Sequence, residues 1–187
     1  MKRTELLGAV LLVVLAFGLL FVSVRSNPLP DETQDGLAPV PAAKVSRAPD
    51  WTLPDAQTGR SVSLQAEAQA HPVVFAFWAT WCGPCRDELP HLQRAANRYR
   101  GRVAFYGINS NDPPQAIQAF VRQNKLTLPM LADTRRDVAT RYGVETIPLL
   151  VVVDTKGNIR AVSSGYDPSE DLEASLAKLL DSLLAGH

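Results

Sequence analysis

The sequence predicts an α/β domain in which a mixed β-sheet is covered by helices on both faces. Three observations predict it. The run "PVVFAFWA", Pro72–Ala79, is almost unbroken in β-branched and aromatic residues, as a strand buried on both faces requires. Behind it the period changes, with Leu89, Leu92, Ala95, Ala96 and Tyr99 recurring at steps of three and four, the spacing of an amphipathic helix. Towards the C-terminus "LLVVVD" and "NIRAVSSG" flank Thr155-Lys156-Gly157, a hairpin signal. Strand, helix, strand, helix, hairpin and helix in that order describe a mixed sheet between helical layers.

Taken from the N-terminus, Leu6–Val24 is a 19-residue stretch without charge, long enough at 1.5 Å per residue to cross the roughly 30 Å hydrocarbon core of a bilayer. A cleaved secretory signal is the other reading, but its apolar region is typically about 7–15 residues and "VSVRSNPLP" is a poor cleavage site. No cysteine stands near Ser23, which excludes a lipoprotein anchor. Lys2 and Arg3 precede the span and only Arg25 closely follows it, so the positive-inside bias sends the rest of the chain across the membrane. Residues 1–26 are therefore expected as a signal-anchor and single transmembrane helix. Residues 27–46 are rich in proline and turn-formers and read as a semi-extended tether, with residues 47–187 as the working domain.

Within that domain "DWTLPDAQTGRSVSL" alternates about a Thr58-Gly59 turn and predicts a hairpin of Trp51–Leu53 with Ser61–Leu64. The helix behind Pro84 contains Pro90, which removes a backbone donor and is expected to kink it. "RVAFYGINS" is a second strand, a helix starts at Pro113 or Pro114, and "RDVATRYG" is a short helix stopped by Gly143. A last amphipathic helix is expected from Pro168.

Nineteen basic residues balance nineteen acidic ones, which gives no electrostatic footprint for nucleic acid. The chain has two cysteines, Cys82 and Cys85, in "WCGPC" between the buried strand and the helix. At a helix N-terminus, unpaired backbone N–H groups and the helix dipole stabilise a thiolate at Cys82. One turn on, Cys85 faces inward and is placed to attack a mixed disulfide formed at Cys82. Gly83 permits close approach of a partner chain, and Pro84 suits a first helical turn. An inert disulfide is the bland alternative, although a loop this short removes little chain entropy. A metal pair completed by His91 or His71 is another, without a complete ligand set in view; His91 otherwise reads as an exposed helix residue.

"VVFAFWATWCGPCRDELPHL", with "APDWTL" upstream and "YGVETIPLLVVVDTKGNI" downstream, resembles the thioredoxin superfamily, and within it the membrane-anchored TlpA/ResA/DsbE(CcmG)-like thiol-disulfide oxidoreductases. The resemblance covers about residues 48–184. It implies a thioredoxin-like fold with an N-terminal hairpin and a helical insert at "NDPPQAIQAFVRQNKLTLPMLADTRRDVATRYG". By position it makes Cys82 the attacking and Cys85 the resolving cysteine, Pro148 a cis-proline that turns the Ile147 backbone towards substrate, and Trp81 an aromatic shielding the cysteines. Trp78 reads as core. Glu88 matches an acidic residue thought to tune proton transfer, against the alternative of a surface carboxylate. Two positions depart from relatives: Ala76 stands where thioredoxin has a buried Asp, and Leu149 where relatives often have Thr.

The expected function is that of an extracytoplasmic thiol-disulfide oxidoreductase, reducing client disulfides of the cytochrome c-type biogenesis or oxidase copper-site kind. The domain would face the periplasm or the outside of a bacterial cytoplasmic (inner) membrane. No cofactor or metal is expected beyond the redox-active Cys82–Cys85 pair. The implied partners are a client such as apocytochrome c or a copper-site protein and a membrane thiol reductase as electron donor, with the oxidoreductase itself a monomer. A disulfide donor or isomerase, and a copper chaperone using both thiols with Met130 as a third soft ligand, are the alternatives. A peroxidase is disfavoured because the required Pro and Thr are not at the right offsets before Cys82.

Overall fold

The computed structural model describes residues 37–41 and 44–186. The expected anchor at residues 1–26 lies outside the described residues, among which no helix is long and apolar enough to cross a membrane. Among the described residues, eight strands and five helices follow one another as β1 (Ala38–Pro39), β2 (Thr52–Pro54), β3 (Ser61–Ser63), α1 (Leu64–Ala70), β4 (Val73–Trp78), α2 (Gly83–Arg98), β5 (Ala104–Ser110), α3 (Pro114–Gln123), β6 (Met130–Asp133), α4 (Asp137–Arg141), β7 (Leu149–Val153), β8 (Ile159–Ser164) and α5 (Leu172–Ala185). The main sheet has the order β1-β8-β7-β4-β5-β6, and β2 and β3 form a separate ribbon. β4, β5 and β6 are parallel, whereas β7 and β8 run antiparallel to their neighbours.

Alternation along β4 divides the interior in two. All six of its side chains are fully buried. Val74, Ala76 and Trp78 face a core closed by Leu89 and Leu92 of α2, Ile117 and Phe120 of α3, and Leu176 and Leu180 of α5. Val73, Phe75 and Phe77 face the opposite core, with Trp51, Leu53, Val62, Val138 and Tyr142. There the Phe75 ring meets Trp51 and Tyr142 edge-on at 5.6 and 5.4 Å, and the Tyr142 hydroxyl donates to the Pro49 carbonyl at 2.7 Å. A sheet buried on both faces thus accounts for the unbroken apolar run.

Several elements differ from expectation, each for a local reason. The ribbon pairs Thr52–Pro54 with Ser61–Ser63, because Leu64 already belongs to α1, whose first turn is capped by the Ser63 hydroxyl. The insert expected as helical carries strand β6, a four-residue edge too short to show a period between two helices. The last helix starts at Leu172 rather than Pro168, since the Asp171 carboxylate accepts the Ala174 N–H at 2.9 Å and fixes the N-terminus there. Inside the stretch read as a tether, Ala38–Pro39 pairs with β8. Hydrogen bonds from Val40 to Arg160, Ala48 to Gly157 and Ile159 to Ser46 continue the attachment along the same edge. Pro39 lacks an N–H, which an edge strand tolerates, so its composition hid the pairing.

Gly107, in the middle of β5, is demanded by a close approach. A Cβ at this position would overlap Met130 Sδ and lie 2.9 Å from Trp78 Nε1. Gly107→Ala is expected to lower stability by about 2 kcal/mol through overpacking, read as a fall in the urea midpoint. An unchanged midpoint would contradict the close packing of β5 against β6.

Candidate active site

β4 delivers the chain to the site and α2 carries the chemistry. Between them, the Thr80 N–H donates to the Asp112 carboxylate at 2.7 Å, and Asp112 is itself held by Asn109 Nδ2 at 2.9 Å. The loop before the first cysteine is therefore tied to the end of β5. Asp112 had no signal in the sequence beyond its place in a turn. Cys82 is the N-cap of α2, with Gly83 and Pro84 as the first two helical residues.

Cys82 and Cys85 form a disulfide, with Cα atoms 5.3 Å apart. Cys85 is fully buried and Cys82 is 5% exposed, so an incoming group reaches only the first sulfur. The Cys85 backbone N–H donates to Cys82 Sγ at 3.2 Å. When the bond opens, this donor and the helix N-terminus both favour negative charge on Cys82.

The Ile147–Pro148 peptide is cis. Cys82 Sγ lies 3.7 Å from the Ile147 carbonyl oxygen; a disulfide sulfur carries no proton, so this is a contact here and becomes a hydrogen-bond position for a thiol. Pro148 is buried and Ile147 half-buried. The Pro148 carbonyl accepts the Gly165 N–H at 2.8 Å, fastening this loop to the end of β8. Around the sulfurs Gly83 and Pro84 are exposed, and a Cβ on Gly83 would meet nothing within 4 Å. Trp81 is 73% exposed, an open aromatic surface beside Cys82, whereas Trp78 is wholly inside.

Glu88 is only 2% exposed, so the surface-carboxylate alternative falls. Its Oε2 has no hydrogen-bond partner among the described residues, and burial pushes the carboxyl up from 4.5 to about 8. It lines a cavity of about 210 Å³ with Leu37, Ser163, Ser164, Tyr166 and Ser175 among the other walls. Ala76, where thioredoxin has its Asp, is buried in the same core as both cysteines, which leaves Glu88 as the acidic group there. Leu149 is 1% exposed and packs into the opposite core, away from any substrate surface.

The positions raised as metal ligands are placed elsewhere. Met130 is fully buried in β6 against Gly107. His71 caps the end of α1. His91 is not a free surface residue: its ring contacts Glu173, Arg94 and Tyr166. Arg94 is one turn on in the same helix, but Tyr166 and Glu173 come from a loop and a helix 75 and 82 residues away in sequence, beyond the reach of local periodicity.

Residues 45–162 match the model of the AhpC/TSA family. The thioredoxin-like protein YneN of Bacillus subtilis is 31% identical over 70% of this chain and 76% of its own. The thiol-disulfide oxidoreductase ResA of Geobacillus thermodenitrificans is 26% identical over 95% and 98%. Among solved structures, a secreted Mycobacterium tuberculosis disulfide oxidoreductase homologous to the Escherichia coli DsbE aligns with a TM-score of 0.60 at 26% identity, over 71% of this chain and 96% of that one. With a buried disulfide on a helix N-terminus beside a cis-proline, and these relatives along most of its length, the chain belongs to the AhpC/TSA family, among its thioredoxin-like thiol-disulfide oxidoreductases of ResA/DsbE type.

Proposed function

We infer that this oxidoreductase works outside the cytoplasm, tethered by residues 1–26, as a reductant of disulfides in client proteins. The observation that carries the reading is the pairing of an accessible Cys82, capped by the Cys85 N–H, with a buried Cys85 one turn from the buried Glu88. In the reduced protein the Cys82 thiolate attacks a client disulfide and forms a mixed disulfide. Cys85 then attacks Cys82; the new Cys82–Cys85 bond forms as the bond to the client breaks and the client sulfur leaves as thiolate. Glu88 takes the Cys85 proton. Burial pushes its pKa up to about 8, which makes it a stronger proton acceptor than an ordinary carboxylate. Trp81, Gly83 and Pro84 offer the client an open face, and the Ile147 carbonyl beside Pro148 offers a backbone acceptor.

The direction of electron flow rests on Gly83-Pro84, the dipeptide of thioredoxin, whose potential of about −270 mV contrasts with about −120 mV for the oxidant DsbA. Clients of the apocytochrome c or copper-site kind and a membrane thiol reductase as donor fit a domain beyond the reach of cytosolic reductants. The secreted relative supports that placement. Equilibrating Cys82–Cys85 against glutathione is expected to give a potential near thioredoxin's. A value above about −180 mV, the range of protein disulfide isomerase, would overturn the reductant reading in favour of a disulfide donor or isomerase.

A further inference from the structure

Glu88 itself is only 2% exposed, so a proton that reaches it from Cys85 has to be carried out by its neighbours. The active-site helix supplies the start of one. Residues three apart on an α-helix are turned by about 60° from one another, so Cys85, Glu88, His91 and Arg94 spiral from the buried face to the surface. Exposure follows the spiral: Cys85 is fully buried, Glu88 is 2% exposed, and the His91 and Arg94 side chains are 32% and 52% exposed. Across from this line stands Tyr166, in the connection between β8 and α5. It shares the Glu88 cavity, and its hydroxyl is 3.0 Å from His91 Nε2. On the other side of the ring, His91 Nδ1 is 3.0 Å from Glu173 Oε1, and Glu173 also receives the Arg94 Nε–H at 2.8 Å.

We propose that Tyr166 and His91 relay protons between the Glu88 cavity and solvent. This rests on the reading of Glu88 as the proton acceptor of Cys85. The cavity has ample room for water, and Ser163, Ser164 and Ser175 give its wall polar groups. A protonated Glu88 passes its proton through cavity water to the Tyr166 oxygen as the Tyr166 hydroxyl proton moves to His91 Nε2. The Nδ1 proton then departs to Glu173 or directly to solvent, and no electron moves.

His91 is suited to this by its neighbours. Nδ1 faces an acceptor, Glu173, and a donor, Arg94 Nη2 at 2.9 Å. With the proton on Nδ1 the ring satisfies Glu173 and leaves Nε2 free to accept from Tyr166; with the proton on Nε2 it satisfies Arg94 instead. Each tautomer has a partner, so the contacts do not lock one of them. The other charged groups here are acidic: Asp167 and Glu170 line the cavity, and the charge of Asp87 acts on Tyr166. Burial, reinforced by Asp87 and Glu88, raises the Tyr166 pKa, which keeps the phenol protonated and able to donate.

The test follows the reduced protein reacting with oxidised glutathione, quenched in acid and weighed by mass spectrometry to time the loss of the Cys82–glutathione adduct. In weak buffer, His91→Ala and Tyr166→Phe are each expected to slow that step by about tenfold, less than the roughly 10²–10⁴-fold of a group that acts directly on the reacting atoms, because a relay only recycles the base. The rise of the rate through pH 8, set by Glu88, stays in place. Added imidazole restores His91→Ala, because the half-exposed site admits a small base. Parental rates in both variants, with Glu88→Gln still slow, would overturn the relay and leave Glu88 in its role. A His91→Ala protein slowed equally with and without imidazole would overturn it as well, since that is the signature of lost structure. Glu88→Gln at the parental rate would instead remove the reading of Glu88 on which the relay depends.

Discussion

Cys85→Ser protein mixed with a disulfide-bearing client accumulates a covalent adduct at Cys82. The wild-type adduct is short-lived because Cys85 is one turn away and already buried against its target, with the Cα atoms 5.3 Å apart. Such intramolecular attack corresponds to effective concentrations of about 10⁵ M or more, whereas external thiols act at roughly millimolar levels. Removing the second sulfur therefore lengthens the adduct's life by several orders of magnitude. Cys82→Ser forms no adduct, because the remaining sulfur is fully enclosed. Non-reducing mass spectrometry reads both outcomes and names the client. An adduct-free Cys85→Ser protein would mean that Cys82–Cys85 is an inert bond.

Glu88→Gln is expected to stabilise the protein while impairing it. The folded-state pKa of about 8 is raised above the ordinary 4.5, so the folded chain holds a proton that the unfolded chain releases. The contribution of Glu88 to stability is then fully present below pH 4.5 and is lost as the pH rises towards 8. At about 1.4 kcal/mol per pH unit, the loss is about 3 kcal/mol by pH 7. A glutamine cannot ionise. The variant should match the parent near pH 4.5 and exceed it by about 3 kcal/mol at pH 7, as urea unfolding at both values would show. A difference independent of pH would mean that Glu88 ionises freely. In the same variant, adduct resolution slows by about a hundredfold and loses its rise near pH 8, because no base receives the Cys85 proton.

The parts of this site that could be read in the sequence are those written in consecutive residues. "CGPC" behind an apolar run specifies a dithiol on a helix N-terminus, and Thr146-Ile147-Pro148 marks the facing loop by resemblance. Glu88 was visible as a candidate through the resemblance, and its spacing of one turn from Cys85 is compatible with that role. The cavity it lines is walled by Ser163 of β8, Tyr166 of the β8–α5 connection and Leu37 just before β1, all distant in sequence. The pairing of His91 with Tyr166 and Glu173 is equally non-local, and nothing in "RDELPHL" sets it apart from a solvated helix face. The strands that escaped notice, β1 and β6, are both short edges of the sheet. Edge pairing requires little side-chain pattern, since only one neighbour has to be matched.

Strand β1 also changes where the chain is first fastened to the sheet. Its bonds to β8, continued by Val40, Ser46 and Ala48, moor the incoming chain along one rim of the sheet. The chain is thus held by that rim from Ala38 onwards rather than only from residue 47. Leu37, the residue before β1, is also a wall of the Glu88 cavity, so this attachment and the proton site adjoin. A stretch that resembles slack line in the sequence is, at residues 37–40, part of both the sheet's rim and the wall of the proton site.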